Sequence, residues 1–197
     1  GLKFPDRIGK LTLDSVKGFS DAKLGVGIRY ILNDSMAVDI FIYNYGLETI
    51  PSDPNSKVIQ EQTDGSFQAV QTHAREGHYP NLAVEKRDVV PLTRDEKSPK
   101  ARRIVFTFGP DEDKFSSHLI VVGYRNHFVK IRATCAPEGQ KESLKQLEAL
   151  TEWLGREMMA RELPDKRVGN PATDPSKLRY VAMHTMFRYG FIDGNGK

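Results

Sequence analysis

The sequence contains one cysteine and one tryptophan among 197 residues, and it has no long apolar run. A single cysteine, Cys135, excludes a disulfide within the chain. No segment approaches the roughly 18 apolar residues that a membrane-spanning helix needs. The net charge is also small, because 29 basic residues face 26 acidic ones, which gives +3. The pI of 8.9 therefore reflects a near balance, and the composition does not indicate a nucleic-acid partner.

The start of the chain also lacks the charged-then-apolar pattern of a signal peptide. It begins with Gly1 rather than Met, so either a leader has been removed or Gly1 is a cloning remnant. Both alternatives suit a periplasmic or secreted protein in its mature form. A lone free cysteine is compatible with that compartment when it is buried.

The segment that organises the fold runs from His118 to Arg161. Residues 118–124 are apolar on both faces, which predicts a strand in the middle of a sheet. After a short turn, residues 127–135 alternate as a second strand with one apolar face. A helix follows, with Pro137 expected in its first turn. Its apolar stripe recurs every three or four residues and should lie on the sheet; it comprises Leu144, Leu147, Leu150, Leu154 and Met158.

The first half of the chain predicts a hairpin, residues 24–32 and 37–45, and a possible short edge strand at 11–13. A helix over about 55–76 follows, with Ser52 or Asp53 as its cap and a buried side that includes Ile59, Ser66, Val70 and Ala74. Two further strands are expected at 82–92 and 102–108. This order indicates an α+β domain, with a largely antiparallel central sheet of about six or seven strands and helices packed on its faces.

The character of the chain changes after Glu162. Residues 1–162 are predicted to form a single α+β domain. Residues 163–176 contain three prolines and little apolar content, as is typical of a linker. Residues 177–197 form an apolar C-terminal arm, with nine large apolar or aromatic residues between Leu178 and Ile192. Such a segment is expected to pack on a partner or on its own domain rather than remain in water.

The strand-turn-strand-helix unit, Leu119-Ile120-Val121-Val122-Gly123-Tyr124 to Phe128–Thr134 and then Ala136-Pro137-Glu138 with its leucine-rich helix, resembles the C-terminal half of PsbP-like domains. These αβα sandwiches are named for the extrinsic P subunit of photosystem II and are shared with a nuclear Ran-binding release factor. The resemblance spans about residues 11–161. The turn Gly-Tyr-Arg-x-His-Phe-Val-Lys, residues 123–130, is also similar to one in a group of bacterial exported proteins. The resemblance implies a non-enzymatic docking or assembly role, without any ligand residue that can be carried over.

Two places are candidates for partner binding. Tyr124, Arg125 and His127 place planar and charged groups together at a hairpin tip, and tyrosine and arginine are common interface anchors. Phe187 and Tyr189 belong to the apolar arm. An exposed turn without function is the alternative for the first group.

Other patterns give weaker support for chemistry. Phe41, Tyr43 and Tyr45 form a stripe at strand spacing that either packs beneath a helix or lines a cleft. Cys135 alternates with core residues, which favours a small buried side chain over a nucleophile. His73 and His78 are five residues apart, whereas two zinc ligands on one helix face are usually three or four residues apart. Solvated histidines are therefore expected, and no metal site is predicted. The basic run 97–103 is interpreted as a solvated loop.

The leading hypothesis is a non-enzymatic secreted or periplasmic binding or assembly module, without a cofactor, that docks a protein partner or a second copy of itself through the arm or the Tyr124 turn. The alternative is a small-molecule binder or hydrolase with a pocket beside the strand that carries Phe41, Tyr43 and Tyr45. A third hypothesis is structural packing within a cell-envelope complex.

Overall fold

The computed structural model describes residues 2–161 as one antiparallel sheet of eight strands with two α-helices. In chain order the elements are β1 (Arg7–Ile8), β2 (Leu11–Gly18), a short 3-10 helix (Ala22–Leu24), β3 (Val26–Leu32), β4 (Met36–Tyr43), α1 (Lys57–Arg75), β5 (Ala83–Pro91), β6 (Lys100–Phe108), β7 (Phe115–Tyr124), β8 (His127–Cys135) and α2 (Gln140–Met159). The predicted α+β class is confirmed. No helix in this part of the chain is both long and apolar enough to cross a membrane.

The sheet has eight strands, so the expected six or seven was too low. The additional strand is β1, whose two residues pair with β2 across a turn at Gly9, where φ is +59°. A two-residue strand is too short to produce a pattern of alternation in the sequence. The predicted edge strand at 11–13 also continues to Gly18 as β2.

The strand order across the sheet is β1-β2-β3-β4-β8-β7-β6-β5. The hairpin β7–β8 therefore occupies the middle, as its apolar sequence predicts, and eight of the ten residues of β7 are buried. This arrangement results from the pairing of β8 with β4, which joins the first hairpin to the second half of the sheet. Both faces of the central strands are consequently covered.

Each face of the sheet carries its own core. One core lies under α2 and contains the leucine stripe, which packs on Ile28, Val38, Ile40, Ile120, Val122, Val129 and Ile131. The other lies under α1 and contains Ile59, Phe67 and Val70 against Ile104, Phe106, Leu119, Val121 and Phe128. The predicted position of the stripe is confirmed. The αβα layering follows from alternation, because neighbouring residues of each central strand face opposite helices.

Two helix starts differ from expectation. The side chain of Ser56, rather than that of Ser52 or Asp53, caps α1 by accepting a hydrogen bond from the Ile59 amide. The second helix begins at Gln140 after Gly139, which has φ +76°, so Pro137 lies before the helix. A left-handed residue at Gly139 redirects the chain, and this need for positive φ was not visible in the sequence.

Candidate functional site

The hairpin tip between β7 and β8 is a tight, rigid turn. Arg125 and Asn126 have φ values of +48° and +60°, as the two central residues of a type I′ turn require. Tyr124 pairs with His127 at the last rung of the ladder. Non-glycine residues in this region are uncommon, but the type I′ twist suits a right-handed hairpin. The chain therefore reverses within two residues at the tip, which places Tyr124 and His127 on either side of the turn.

The three predicted binding residues of this turn lie together. The Arg125 guanidinium lies 5.8 Å from the centre of the Tyr124 ring. The Nδ1 atom of His127 lies 2.8 Å from the carbonyl oxygen of Arg125. Arg125 and His127 are exposed, whereas Tyr124 is half-buried. The other two predicted partner-binding residues, Phe187 and Tyr189, lie outside the described residues.

Tyr124 also connects the turn to the second helix. Its hydroxyl donates a hydrogen bond to the carbonyl oxygen of Met158, at 3.1 Å. Met158 is fully buried and stands one residue before the end of α2. The turn is therefore anchored to the last turn of α2.

The tyrosines of β4 are core residues. Tyr43 and Tyr45 are 3% and 8% exposed, and their rings lie 4.5 Å apart beside Phe128. The hydroxyl of Tyr43 accepts a hydrogen bond from the Gln62 side chain of α1, at 2.8 Å. Burial raises the pKa of Tyr43 well above its usual value. The interpretation that this stripe packs beneath a helix fits the structure better than a cleft does.

Two buried cations on β8 were not recognised as candidates from the sequence. Arg132 is 4% exposed, donates from Nε to the hydroxyl of Ser117 at 2.7 Å, and stacks over the Phe106 ring at 4.6 Å. Lys130 is 5% exposed, and its Nζ lies 4.7 Å from the Phe41 ring centre and 5.6 Å from that of Tyr43. In the sequence, Lys130 and Arg132 alternate with core residues. This alternation indicates burial only once it is known that β8 lies in the middle of the sheet, with both faces covered.

Burial dominates the electrostatics of this group. It lowers the pKa of Lys130 to about 8; the positive charge of Arg132 adds to this effect, and the negative charge of Asp39 opposes it. Burial also raises the pKa of Asp39 despite the Arg29 guanidinium, which lies 3.5 Å away. Both shifts favour the neutral forms, which shows that the desolvation cost exceeds the attraction between the two side chains. With a pKa of about 8, Lys130 is still mostly protonated at pH 7, and its charge lies against the rings of Phe41 and Tyr43.

A groove of about 790 Å³ lies on the opposite face, between α2 and the strands β5 to β7. Its lining includes Leu92, His118, Ile120 and Leu147, with Arg94, Lys145 and Glu148 exposed around them. The volume falls within the range of small-molecule sites. The sequence predicted a pocket beside Tyr43. The groove lies on the other face of the sheet.

His118 is the unusual polar group of this groove. It is 8% exposed, and neither ring nitrogen has a hydrogen-bond partner among residues 2–161. Burial, together with the positive charge of Arg103, lowers the pKa of His118 to about 4, so the ring is neutral at pH 7. Arg103 is held in place by Asp88, with two hydrogen bonds of 3.0 and 2.7 Å. That pair lowers the pKa of Asp88 to about 2.

The remaining sequence candidates are structural or exposed. Cys135 is completely buried, and burial raises the pKa of its thiol to about 11, which opposes a role as nucleophile. In the basic run, Arg103 pairs with Asp88, and Arg102 reaches the carbonyl of Pro54 at 3.4 Å. These arginines therefore connect β6 to β5 and to the segment before α1, while Lys97 remains exposed.

His73 and His78 come into contact, which their spacing in the sequence did not predict. Their ring centres lie 5.6 Å apart, and Glu76 lies between them. The Nδ1 atom of His73 is 3.1 Å from a carboxylate oxygen of Glu76. Within the described residues these three side chains form a group that could bind a metal ion.

Comparison with known proteins gives matches at the level of structure only. No family model and no curated protein match the sequence. The solved structures that resemble the chain include cyanobacterial PsbP (CyanoP) from Synechocystis sp. PCC 6803, with 14% identity, a TM-score of 0.44, and coverage of 77% of this chain and 94% of that protein. A second is the Saccharomyces cerevisiae Ran-binding protein Mog1p, with 13% identity, a TM-score of 0.34, and coverage of 78% and 89%.

A third match is PA94 from Pseudomonas aeruginosa, a protein of unknown function, with 9% identity, a TM-score of 0.36, and coverage of 87% of this chain and 92% of that one. TM-scores below 0.5 and identities below 15% carry no information about ligands or partners. The matches include a cyanobacterial PsbP and a Ran-binding protein, which are the two kinds of protein named in the resemblance drawn from the sequence.

Proposed function

We propose that this chain is a non-enzymatic binding module that docks a protein partner through the Tyr124 turn and the apolar segment 177–197. The observation that carries the proposal is the hydrogen bond from the Tyr124 hydroxyl to the carbonyl of Met158. It fixes the exposed tip at the end of α2, after which the chain continues towards Phe187 and Tyr189.

The chemistry of the tip suits recognition. Arg125 and His127 are exposed, and the planar groups of Tyr124 and Arg125 lie close together on a turn whose backbone is rigid. Tyrosine and arginine contribute large contact areas and directed hydrogen bonds at protein interfaces. A rigid turn also loses little conformational entropy on binding. The resemblance of the sequence to PsbP-like domains implies a docking role of the same kind.

The groups with unusual electrostatics support binding rather than catalysis. Lys130 and Arg132 are almost completely buried, and the thiol of Cys135 is held in its protonated form. His118 has no hydrogen-bond partner among residues 2–161, so it has no hydroxyl or thiol there to activate. We further propose that the module acts in the periplasm or outside the cell. Localisation of the full-length precursor by cell fractionation tests that part of the proposal.

The docking proposal is tested by comparing the full chain with a truncation after Leu163. Sedimentation velocity measures self-association, and affinity capture followed by crosslinking from position 125 identifies a partner and shows which surface it contacts. We expect the truncated chain to remain folded and monomeric but to lose association. Arg125→Ala should weaken association, whereas the matched control Arg7→Ala, at an exposed position of β1, should not. Unchanged association in both the truncation and Arg125→Ala would contradict the proposal.

A small-molecule binder is the second candidate, favoured by the groove around His118 rather than by the tyrosine strand. Leu92, Ile120 and Leu147 offer apolar contacts, and a neutral imidazole offers a hydrogen bond. The positive charges of Arg94 and Lys145 at the rim outnumber the negative charge of Glu148, so an anion with an apolar chain is the best-matched ligand class. Octanoate is a suitable probe and octanol its neutral control.

Binding of the probe should raise the melting temperature and shift the His118 ring resonances. The variant Lys145→Gln should weaken the effect, whereas Lys57→Gln, on the opposite helix, should not. Equal responses to octanoate and octanol, or no response of His118, would exclude this groove as an anion site.

A further inference from the structure

The C-terminal end of α1 folds back on itself at Gly77. The amide of His78 donates to the carbonyl of His73 at 3.0 Å, and the amide of Gly77 donates to that of Ala74 at 3.0 Å. Gly77 has φ +88°. This pattern of one left-handed glycine between two reversed hydrogen bonds is a Schellman motif, which commonly ends helices.

The motif brings together two histidines that a continuous helix would separate. Five positions along a helix rotate a side chain by about 140° relative to the first, because each residue contributes about 100°. The reversal at Gly77 instead returns His78 to the side of His73, with their rings at 67° and their centres 5.6 Å apart. The spacing of five is therefore compatible with a shared ligand, contrary to the interpretation from the sequence.

Glu76 supplies a third group from the cap itself. It is the residue that follows the last turn of α1, and one carboxylate oxygen lies 3.1 Å from His73 Nδ1. One potential ligand atom from each of His73, Glu76 and His78 can be chosen so that all three lie within 4.8 Å of one another. The side chain of His73 is 13% exposed and that of Glu76 is 44% exposed, so the group opens to solvent on one side.

We propose that His73, Glu76 and His78 bind a divalent transition-metal ion, with Zn²⁺ as the best-matched ion. Two imidazole nitrogens and one carboxylate are a common ligand set for zinc, whereas calcium and magnesium prefer oxygen ligands throughout. Zinc–nitrogen bonds of about 2.0–2.1 Å place tetrahedral ligands about 3.3 Å apart. Small rotations of the exposed Glu76 and His78 side chains can reduce the distances between the ligand atoms, now within 4.8 Å, to this value.

Two further features of the fold favour a cation at this position. The carbonyl end of a helix carries partial negative charge, which stabilises a positive ion near the last turn. The ring of His73 also lies against that of Tyr79, with their centres 6.4 Å apart, and Tyr79 is buried. One ligand is thus held against the core while the other two can adjust, and solvent or a further group can complete the coordination.

The experiment is a titration of the full chain with Zn²⁺ by calorimetry and with Co²⁺ by visible absorption, which reports the coordination geometry. We expect a single high-affinity site. Glu76→Gln and His78→Ala, both at exposed positions, should each lower the affinity by at least about tenfold. His127→Ala and His184→Ala are matched controls that remove a histidine elsewhere and should leave the affinity unchanged. Circular dichroism verifies that every variant is folded.

A second variant tests the geometry without removing a ligand. In Gly77→Ala the added methyl group meets no atom within 4 Å, but the left-handed backbone is strained. We expect weaker metal binding with all three ligands still present, whereas Gly18→Ala, which also meets no neighbour, should have no effect. Unchanged affinity in both Glu76→Gln and His78→Ala would overturn the proposal and assign the metal to another part of the chain.

Discussion

The hydroxyl of Tyr124 and the carbonyl oxygen of Met158 are joined by a hydrogen bond of 3.1 Å. Residues 34 positions apart thus connect the central hairpin to the last turn of α2. The Met158 carbonyl accepts a hydrogen bond from the Arg161 amide, at 3.2 Å, and the Tyr124 hydroxyl uses its second acceptor position, which orients the turn. This contact is the basis of the proposed docking surface.

Tyr124→Phe should lower the free energy of unfolding by about 1 kcal/mol, because it removes one hydrogen bond and retains the ring. Denaturant unfolding measures this change. The same variant should weaken association with the partner, because the tip loses its fixed position relative to α2. If the stability falls but association does not change, the contact is structural only.

His118 should make stability depend on pH. The pKa of His118 is about 4 in the folded protein and takes its usual value of 6.5 in the unfolded chain. Above pH 6.5 the ring is therefore mostly neutral in both states. Between pH 6.5 and 4 the unfolded chain takes up the proton first, and the folded state therefore loses stability as the pH falls. The expected loss from pH 7 to pH 5 is about 2 kcal/mol.

The comparison that isolates this effect is His118→Asn over the same pH range. Arg103 on β6, Asp88 on β5, and Lys145 and Glu148 on α2 are common to both proteins, so their contributions largely cancel. The variant should show a shallower dependence of unfolding free energy on pH. Identical slopes would mean that the ring is already hydrated and titrates normally.

Lys130→Met should stabilise the domain at pH 7. The folded pKa of about 8 lies below the ordinary 10.5, so at pH 7 the folded state bears the full cost of a buried charge, roughly 3 kcal/mol at most. As the pH rises from 8 to 10.5 the folded chain loses the proton first, and that cost disappears. The advantage of methionine over lysine should therefore shrink over this range.

The charged neighbours of Lys130 are Asp39, Arg132 and, through Asp39, Arg29. They are common to both proteins, and thermal unfolding at pH 7, 9 and 10.5 provides the comparison. A destabilised Lys130→Met variant at pH 7 would show that the contacts of Nζ with the Phe41 and Tyr43 rings exceed the desolvation cost.

Gly155→Ala should destabilise the domain even though alanine is the better helix former. A Cβ at this position would lie 2.4 Å from Cγ2 of Thr93 and 2.9 Å from Cβ of Leu92. We expect an overpacking cost of about 1–3 kcal/mol, which exceeds the gain in helix propensity of about 1 kcal/mol. Gly18→Ala meets no neighbour within 4 Å and serves as the control in thermal unfolding. Equal stability of the two variants would show that α2 can shift away from the loop after β5.

Much of the fold could be predicted because its signals are local and repeated. The leucine stripe of α2 and the all-apolar strand β7 each contain enough residues to define a period, and both occupy their expected positions. Residues Ile59, Ser66 and Val70 likewise mark the buried side of α1. Features that depend on one or two residues were missed, including β1 and the start of α2 at Gly139.

The candidate sites were harder to predict because they depend on contacts between distant residues. The turn residues Tyr124, Arg125 and His127 lie within four positions of one another, so their proximity could be predicted, and their role in binding stays a prediction. The groove around His118 requires α2 to lie beside β5 to β7, and the histidine pair requires a reversal at Gly77. Neither arrangement follows from spacing alone.

The sequence by itself determined the secondary structure, the α+β class and the amphipathic faces, because side-chain periodicity and turn chemistry act over a few residues. The tertiary structure alone decided which strand neighbours which, that Lys130 and Arg132 are buried, and that His73 meets His78. Those properties depend on what packs across each face of the sheet and where the backbone reverses. They arise from contacts between segments that are distant in the sequence, and the local pattern of one segment does not specify which other segment it contacts.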